Sequence, residues 1–398
     1  MRADGAELPS PMSVEQAASS LRLADSSIGV FIDPLSYHFA RDRLFDQHPY
    51  SDFHLPWVHV KELLEARGIP VHTADYLLEG ELAYDVNFYF AIGNVKNYKK
   101  LAGCDDVVLS GLFHIEAPIV HPTTYRETPE ASRHFRRVFS FSSPEALAPF
   151  GCAGLSFTKF RIPEPYDGIE GKFSELWARD DRRFLCMISQ NKLPTLSYKE
   201  LYTERLRLLQ HFAQTDSIDL YGIGWEQLPF RVGEPKSRVV REFVRIRRYL
   251  WERLPFTRNH PYHDVIKRVY RGPVESKHEA MSNYTFAICY ENMVLEGWIN
   301  EKIFDAFLVG TIPIYLGAPD VTDYIPKECF IDPRAFSDHA ELESYLRSLT
   351  EREIQDYREN ARAFMSSPQY RPFTKHAFGD LFVQAFEEDL ASATRVQP

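Results

Sequence analysis

No run of about 18 apolar residues occurs anywhere in the chain, so no segment reads as a membrane-spanning helix. Residues 1–24 have no apolar centre of the kind a secretory leader needs, and they read as a loose tail. Cysteine is scarce: Cys104, Cys152, Cys186, Cys289 and Cys329 form an odd set with no CxxC and no Cys/His ligand spacing. Such usage belongs to a reducing compartment, and the expectation is a cytoplasmic chain, not a disulfide scaffold. No G-x-G-x-x-G follows a strand pattern, since Gly222-Ile223-Gly224 has only two of the glycines, and no P-loop occurs. A dinucleotide oxidoreductase and a P-loop ATPase are both disfavoured on that ground. Asp-x-Asp and HExxH are missing too; Asp105-Asp106 and Asp180-Asp181 are adjacent pairs suited to solvated turns. The expectation is therefore no protein-bound metal and no cofactor. Positive charge is in deficit, with 46 Lys and Arg against 56 Asp and Glu, which argues against a general nucleic-acid binder.

What is present is a long globular composition. The 398 residues are 44% hydrophobic and 26% charged, too many for one ordinary core, and two domains are expected. Aromatic residues reach 14%, which suits sugar-stacking sites and large cores equally. Strand patterns at 28–33, 69–74, 85–93 and 107–118 alternate with helix patterns at 58–68 and 95–103. Arg137–Ser143 and Leu155–Pro165 continue as strands, and Pro163–Lys172 reads as a linker. A second alternation follows. It has a strand at 183–192, a helix at 197–214 with Ser197 as candidate N-cap, a strand at 217–225, and a β-α-β unit at 286–316. Three helix patterns close the chain. The fold class implied is α/β, two doubly wound Rossmann-like domains facing a cleft. The division is a tail at 1–24, domains at 25–168 and 169–365, and a last helix at 366–398 that is a candidate to pack back on the first domain.

The most informative stretch runs from Phe286 to Asp320, FAICYENMVLEGWINEKIFDAFLVGTIPIYLGAPD. Ligands of doubly wound sheets bind beyond the carboxyl ends of the strands, and Glu291 and Asn292 stand at such an end. Asn300 is a suitable N-cap, and Glu301 and Lys302 fall in the first turn of the helix it opens. A lysine there opposes the helix dipole and makes sense if an anion such as a diphosphate shares the site. Gly317 is expected to let a ligand approach the backbone. Alone, the same residues also describe a capped helix with a solvated Glu-Lys pair.

The whole string closely resembles the donor-binding signature of the family 10 glycosyltransferases, the α-1,3/1,4-fucosyltransferases. It has Tyr-Glu-Asn, an aromatic at Trp298, Ile-Asn-Glu-Lys, an apolar helix, and Thr311-Ile312-Pro313-Ile314-Tyr315-Leu316-Gly317. The segment ERLRLLQHFAQTDSIDLYG resembles the family's arginine helix and following strand, which places the diphosphate-binding arginine at Arg205, with Arg207 as local rival. The resemblance also assigns Ser189, Asn191 and Tyr221 to the donor site. LFHIEAP resembles the strand that ends in the family's general base, which maps to Glu116; a strand-end carboxylate without a catalytic role is the other reading. Two departures stand out, Trp298 where the family has Tyr and Asn300 where it has Thr. Residues 231–271 match nothing in the pattern.

The resemblance implies a GT-B fold and an inverting, metal-independent transfer of L-fucose from GDP-fucose to a hydroxyl of an oligosaccharide or glycolipid acceptor. The linkage implied is α-1,3 to GlcNAc or Glc. Glu116 would take the acceptor proton, Arg205 and Lys302 would meet the departing GDP, and Glu301 would face the oxocarbenium-like ring. Asn292 would fix a sugar hydroxyl, and Glu291 and Trp298 would shape the pocket. Glu127 and Glu164 are the reserve candidates for the base. A transferase using another nucleotide deoxyhexose, and a non-catalytic glycan- or nucleotide-binding protein, are the alternatives. The segment 238–254 places Val239, Phe243, Ile246, Leu250 and Leu254 on one helical face, among arginines. It is expected either to pack on the donor domain or to make peripheral contact with the inner face of a bacterial membrane.

Overall fold

The computed structural model describes residues 27–47, 52–226, 229–233, 246 and 263–394. The expected tail at 1–24 and, apart from Ile246, the basic segment at 238–254 lie outside the described residues. The chain forms two parallel sheets. In the first, β1 (Ile28–Asp33), β2 (Val71–Thr73), β3 (Val86–Ile92), β4 (Val107–Phe113), β5 (Arg137–Ser140) and β6 (Thr158–Lys159) are ordered β2-β1-β3-β4-β5-β6. Every residue of β1 is buried, as a strand covered on both faces must be. Helices α1 (Leu55–Glu65) and α2 (Pro122–Ala131) belong to this half.

Several sequence boundaries move. The strand expected to reach Pro118 stops at Phe113, because the chain turns where Val120 N–H bonds to Ala117 O. Proline at 118 lacks the N–H that a longer ladder would need. The helix expected at 95–103 is a single 3-10 turn, Asn97–Lys100, with the Asn94 amide oxygen accepting from Lys96 and Asn97 N–H. The strand expected at 155–165 shrinks to Thr158–Lys159, ahead of Pro163 and Pro165. Helix α2 was not anticipated; Pro122 at its start was the available signal.

The second sheet holds β7 (Arg183–Ile188), β9 (Ile218–Tyr221), β11 (Tyr284–Tyr290) and β12 (Ile312–Leu316) in the order β12-β11-β7-β9. A two-stranded ribbon of β8 (Lys192–Pro194) and β10 (Phe230–Val232) lies beyond β7. Helix α3 spans Tyr202–Phe212, so Ser197 does not cap it. The Glu200 carboxylate instead accepts Thr203 N–H at 2.9 Å, and Lys199 with φ 48° breaks the chain ahead of the helix. Helices α4 (Glu301–Leu308), α5 (His339–Ser348) and α6 (Glu351–Met365) also belong to this half, the last opened by a Thr350/Glu353 capping box.

Two of the joints between the halves are built on packed side chains among the described residues. Helix α7 (Lys375–Thr394) returns to the first sheet, where Phe378, Phe382 and Phe386 meet Trp57, Phe90 and Phe88 at ring distances of 4.9, 4.2 and 5.0 Å. Buried Asp389 takes Arg137 at 2.7 Å and Arg136 at 3.2 Å. At the other joint, the loop after β11 inserts Met293, Leu295 and Trp298 into the first domain's core. Ser143 Oγ donates to Glu296 Oε2 at 2.9 Å, and Gly297, at φ 70°, sits where a Cβ would lie 2.0 Å from Phe141 O.

Candidate active site

Strand β11 is apolar and buried through Tyr290, and its first polar residue after the ladder is Glu291. This carboxylate is fully buried. Oε1 accepts Asn300 N–H at 3.1 Å and Oε2 accepts the Lys302 ammonium at 3.2 Å. Asn300 is the N-cap of α4, its Oδ1 accepting Lys302 N–H at 3.3 Å and Lys302 Nζ at 3.0 Å. Glu301 adds a third oxygen to the ammonium at 3.2 Å. Burial pushes the Glu291 carboxyl up to about 7, against the pull of Lys302. Burial disfavours the Lys302 charge, but Glu291 and Glu301 outweigh it and hold that group above the ordinary lysine value.

This corrects two expectations. The anion that offsets the helix dipole beside Lys302 is in the chain itself, as Glu291. Gly317 does not clear space for a ligand. A Cβ there would stand 2.4 Å from Glu291 Cγ and 2.7 Å from the Tyr315 hydroxyl, so its missing side chain makes room for the buried carboxylate. Gly317→Ala is therefore expected to destabilise the fold by about 1–3 kcal/mol through overpacking. Thermal unfolding checks this, and an unchanged Tm would show that Glu291 is not wedged as described.

Arg205 lies on α3 with 7% of its surface exposed. Its Nη2 donates to Tyr290 O and to Glu291 O at 2.7 Å, and reaches Asn292 Oδ1 at 3.3 Å. The carbonyls at a strand end have no ladder partner, and the guanidinium satisfies them. Arg205 thereby fixes the Glu291-Asn292 turn. Its rival Arg207 is exposed on the helix and pairs with Glu204 at 3.2 Å.

Ser189 and Asn191 form a turn after β7 that is locked to the turn after β9. Ser189 O accepts Trp225 Nε1 at 2.7 Å, and Asn191 Nδ2 donates to Gly224 O at 2.9 Å. Tyr221 is not brought to the Glu291–Lys302 group. Its hydroxyl shares a hydrogen bond of 2.8 Å with Tyr284, at the opposite end of β11 from Glu291, and Tyr284 donates to Asp219 at 2.7 Å. Trp298 is not a stacking face for a sugar. It is 2% exposed, packed 4.7 Å from the Phe141 ring, with its indole N–H buried and unpaired.

From the first domain comes Glu116, beyond the end of β4. The Tyr125 hydroxyl donates to Glu116 O at 2.5 Å, so α2 holds its backbone. Burial pushes its carboxyl up to about 7; Glu301 adds to that, while Lys302 and Lys192 oppose it. The base candidate of one domain thus sits within electrostatic reach of the donor candidates of the other. The reserve candidates separate. Glu127 is away among surface cations, 3.5 Å from Lys99 and 3.6 Å from Arg126. Glu164 is 2% exposed and feels Asp305, Glu301, Lys277 and Glu291, with burial raising its carboxyl well above the usual range. Sequence reading missed Lys192, at the start of β8, since no motif includes it. Among the described residues, no group of three His, Cys, Asp or Glu side chains could hold a metal ion, and no helix is long and apolar enough to cross a membrane.

With this geometry in place, the chain can be compared with known proteins. Residues 261–364 match the family profile of the glycosyltransferase family 10 (fucosyltransferase) C-terminal domain. Over 72 residues the chain is 40% identical to an α-(1,4)-fucosyltransferase of Arabidopsis thaliana, covering 18% of each chain. Over 77 residues it is 40% identical to the α-(1,3)-fucosyltransferase FucT of Helicobacter pylori, covering 19% of this chain and 16% of that one. The match spans less than a fifth of the length of either relative. Among solved structures, Anabaena HepE in complex with UDP-glucose superposes with a TM-score of 0.52 at 13% identity, covering 91% of this chain and 99% of that one. That likeness is one of fold: two parallel-sheet halves facing a cleft, the GT-B arrangement.

Proposed function

We propose, from the premise that this chain carries a glycosyltransferase family 10 domain at residues 261–364, that it transfers L-fucose from GDP-fucose to a glycan hydroxyl. The transfer is a single inverting displacement, and the linkage made is α-1,3 to GlcNAc or Glc. The observation that supports this reading is that Glu116, beyond the end of β4, lies within electrostatic reach of Glu301 and Lys302 at the start of α4. An inverting transfer needs a base on one side of the anomeric carbon and a receptacle for the leaving diphosphate on the other. In this proposal Glu116 of the first half is the base and Lys302 of the second half belongs to the receptacle.

In this reading Glu116 accepts the proton of the attacking hydroxyl. Lys302 stabilises the charge that develops on the departing GDP, its ammonium already aimed by Glu291, Asn300 and Glu301. Glu301, with its side chain 46% exposed and Oε1 on Lys302, is the carboxylate that faces the sugar ring in this reading. Arg205 acts through the strand end: it holds Asn292, whose amide is left to meet a sugar hydroxyl. No metal step is invoked.

The test is GDP release by the purified full chain with GDP-fucose, GDP-mannose and UDP-glucose, each with a glycan array as acceptor. Turnover with GDP-fucose alone is the expected result. Turnover with another donor only would move the reading to a sister transferase, and nucleotide binding without turnover would move it to a binding protein. EDTA is expected to leave the rate unchanged; complete loss restored by a divalent ion would overturn the metal-independent route.

A further inference from the structure

Among the described residues, Arg205, Lys302 and Lys192 are cations within electrostatic reach of one another, and two of these three are already engaged. Arg205 donates to Tyr290 O, Glu291 O and Asn292 Oδ1, and Lys302 donates to Glu291, Asn300 and Glu301. The third, Lys192, has no hydrogen bond or ion pair with any described residue. It begins β8, where it pairs in register with Phe230 of β10. That ribbon packs against α3, the helix that carries Arg205. Lys192 is half-buried and within electrostatic reach of Glu116, Lys302 and Arg205. Two of those three neighbours repel it, and burial disfavours its charge as well. A cation kept beside two others in a partly dry cleft is at a disadvantage until an anion arrives there.

We propose that Lys192 is a diphosphate-binding residue: its ammonium, together with Lys302, receives the pyrophosphate of the nucleotide donor. The inference rests on the donor reading above and deepens it, since it names the group that takes the charge Arg205 and Lys302 leave uncompensated. Arg205 has spent donors on the strand end and Lys302 is shared among three oxygens, so a dianionic ligand meets few free donors in this half. Lys192 supplies an ammonium with none of its three N–H groups committed. Its place at the start of β8, just after the turn that follows β7 and beyond the carboxyl end of the sheet, is where doubly wound sheets present ligand contacts.

The experiment compares wild type, Lys192→Met and Lys192→Arg by isothermal titration with GDP, UDP and guanosine, with Tm recorded for each protein. Methionine keeps the apolar stem and removes only the charge, so Tm is expected to hold or rise slightly. The expected result is a loss of affinity of roughly 10- to 100-fold for the diphosphate in Lys192→Met. Guanosine affinity should be unchanged, and Lys192→Arg should restore most of the diphosphate binding. Equal diphosphate affinity in wild type and Lys192→Met would overturn the assignment. So would a pattern in which GDP binding is unaltered and only the acid limb of kcat/KM moves to higher pH, because Lys192 would then serve Glu116 and not the nucleotide. A wild-type chain that binds neither GDP nor UDP overturns the donor reading itself, and is thereby distinct from failure of Lys192 alone. Binding of UDP in place of GDP corrects the base but leaves the Lys192 comparison to be read with UDP.

Discussion

Replacing Glu116 by glutamine is expected to leave the fold and GDP binding intact and to cut transfer by roughly 100- to 10,000-fold. The amide has the shape of the acid but no basic lone pair of comparable strength. The backbone at this position is held from outside, by the Tyr125 hydroxyl on Glu116 O, so the substitution leaves that anchor in place. The same assignment has a pH signature. Burial, reinforced by Glu301, lifts the Glu116 carboxyl to about 7, with Lys302 and Lys192 holding it back. A base works only when deprotonated, so kcat/KM should rise with pH to a plateau above about 7 and fall tenfold per unit below it. Glu116→Gln should abolish that limb. If the variant keeps most of its turnover, Glu116 is a strand-end carboxylate without a chemical role. Buried Glu164, beside Glu301 and Asp305, would then be the next group to replace.

Lys302→Ala is expected to reduce turnover by roughly 100- to 1,000-fold and to weaken GDP binding, because it removes a positioned cation from the leaving group's side of the cleft. The structure adds a second consequence. Glu291 is fully buried and Lys302 is its counter-ion at 3.2 Å, so the alanine variant leaves a carboxylate with no opposing charge. Glu291, already lifted to about 7, should move higher and be protonated at neutral pH. Measuring Tm against pH separates the two effects. A protein that has lost only the donor cation would unfold with the wild-type pH profile, which levels off above about 7, whereas one that has lost the Glu291 partner should go on losing stability as pH rises beyond 7. The sign follows because a buried carboxyl that prefers its neutral form in the fold favours the folded state below the folded pKa. Near-normal kinetics in Lys302→Ala would sink the donor-site assignment. Arg205→Ala is a less clean probe, since its guanidinium satisfies two strand-end carbonyls.

The sequence by itself determined the features that are local. The apolar runs of β1, β3, β11 and β12 stand where their patterns put them, because a strand covered on both faces must be apolar throughout, while β7, expected to reach Lys192, stops at Ile188 where the polar Ser189-Gln190-Asn191 turn begins. Asn300 caps α4 as expected, because capping involves only a side chain and the next N–H groups along the chain. The resemblance of 286–317 to the family 10 donor signature was legible for the same reason, being one continuous string inside the stretch 261–364 that matches the family profile. The tertiary structure alone decided what depends on distant segments. Trp298 is a wedge in the first domain's core, because Phe141 from another domain covers it. Gly317 makes room for Glu291, and Glu291 neutralises Lys302, because two strands and a helix start converge on one buried point. Tyr221 turns its hydroxyl to Tyr284, and Lys192, outside every motif, comes within electrostatic reach of Glu116. Burial and electrostatic neighbourhood are set by which surfaces meet, and spacing along one chain does not encode which surfaces those will be.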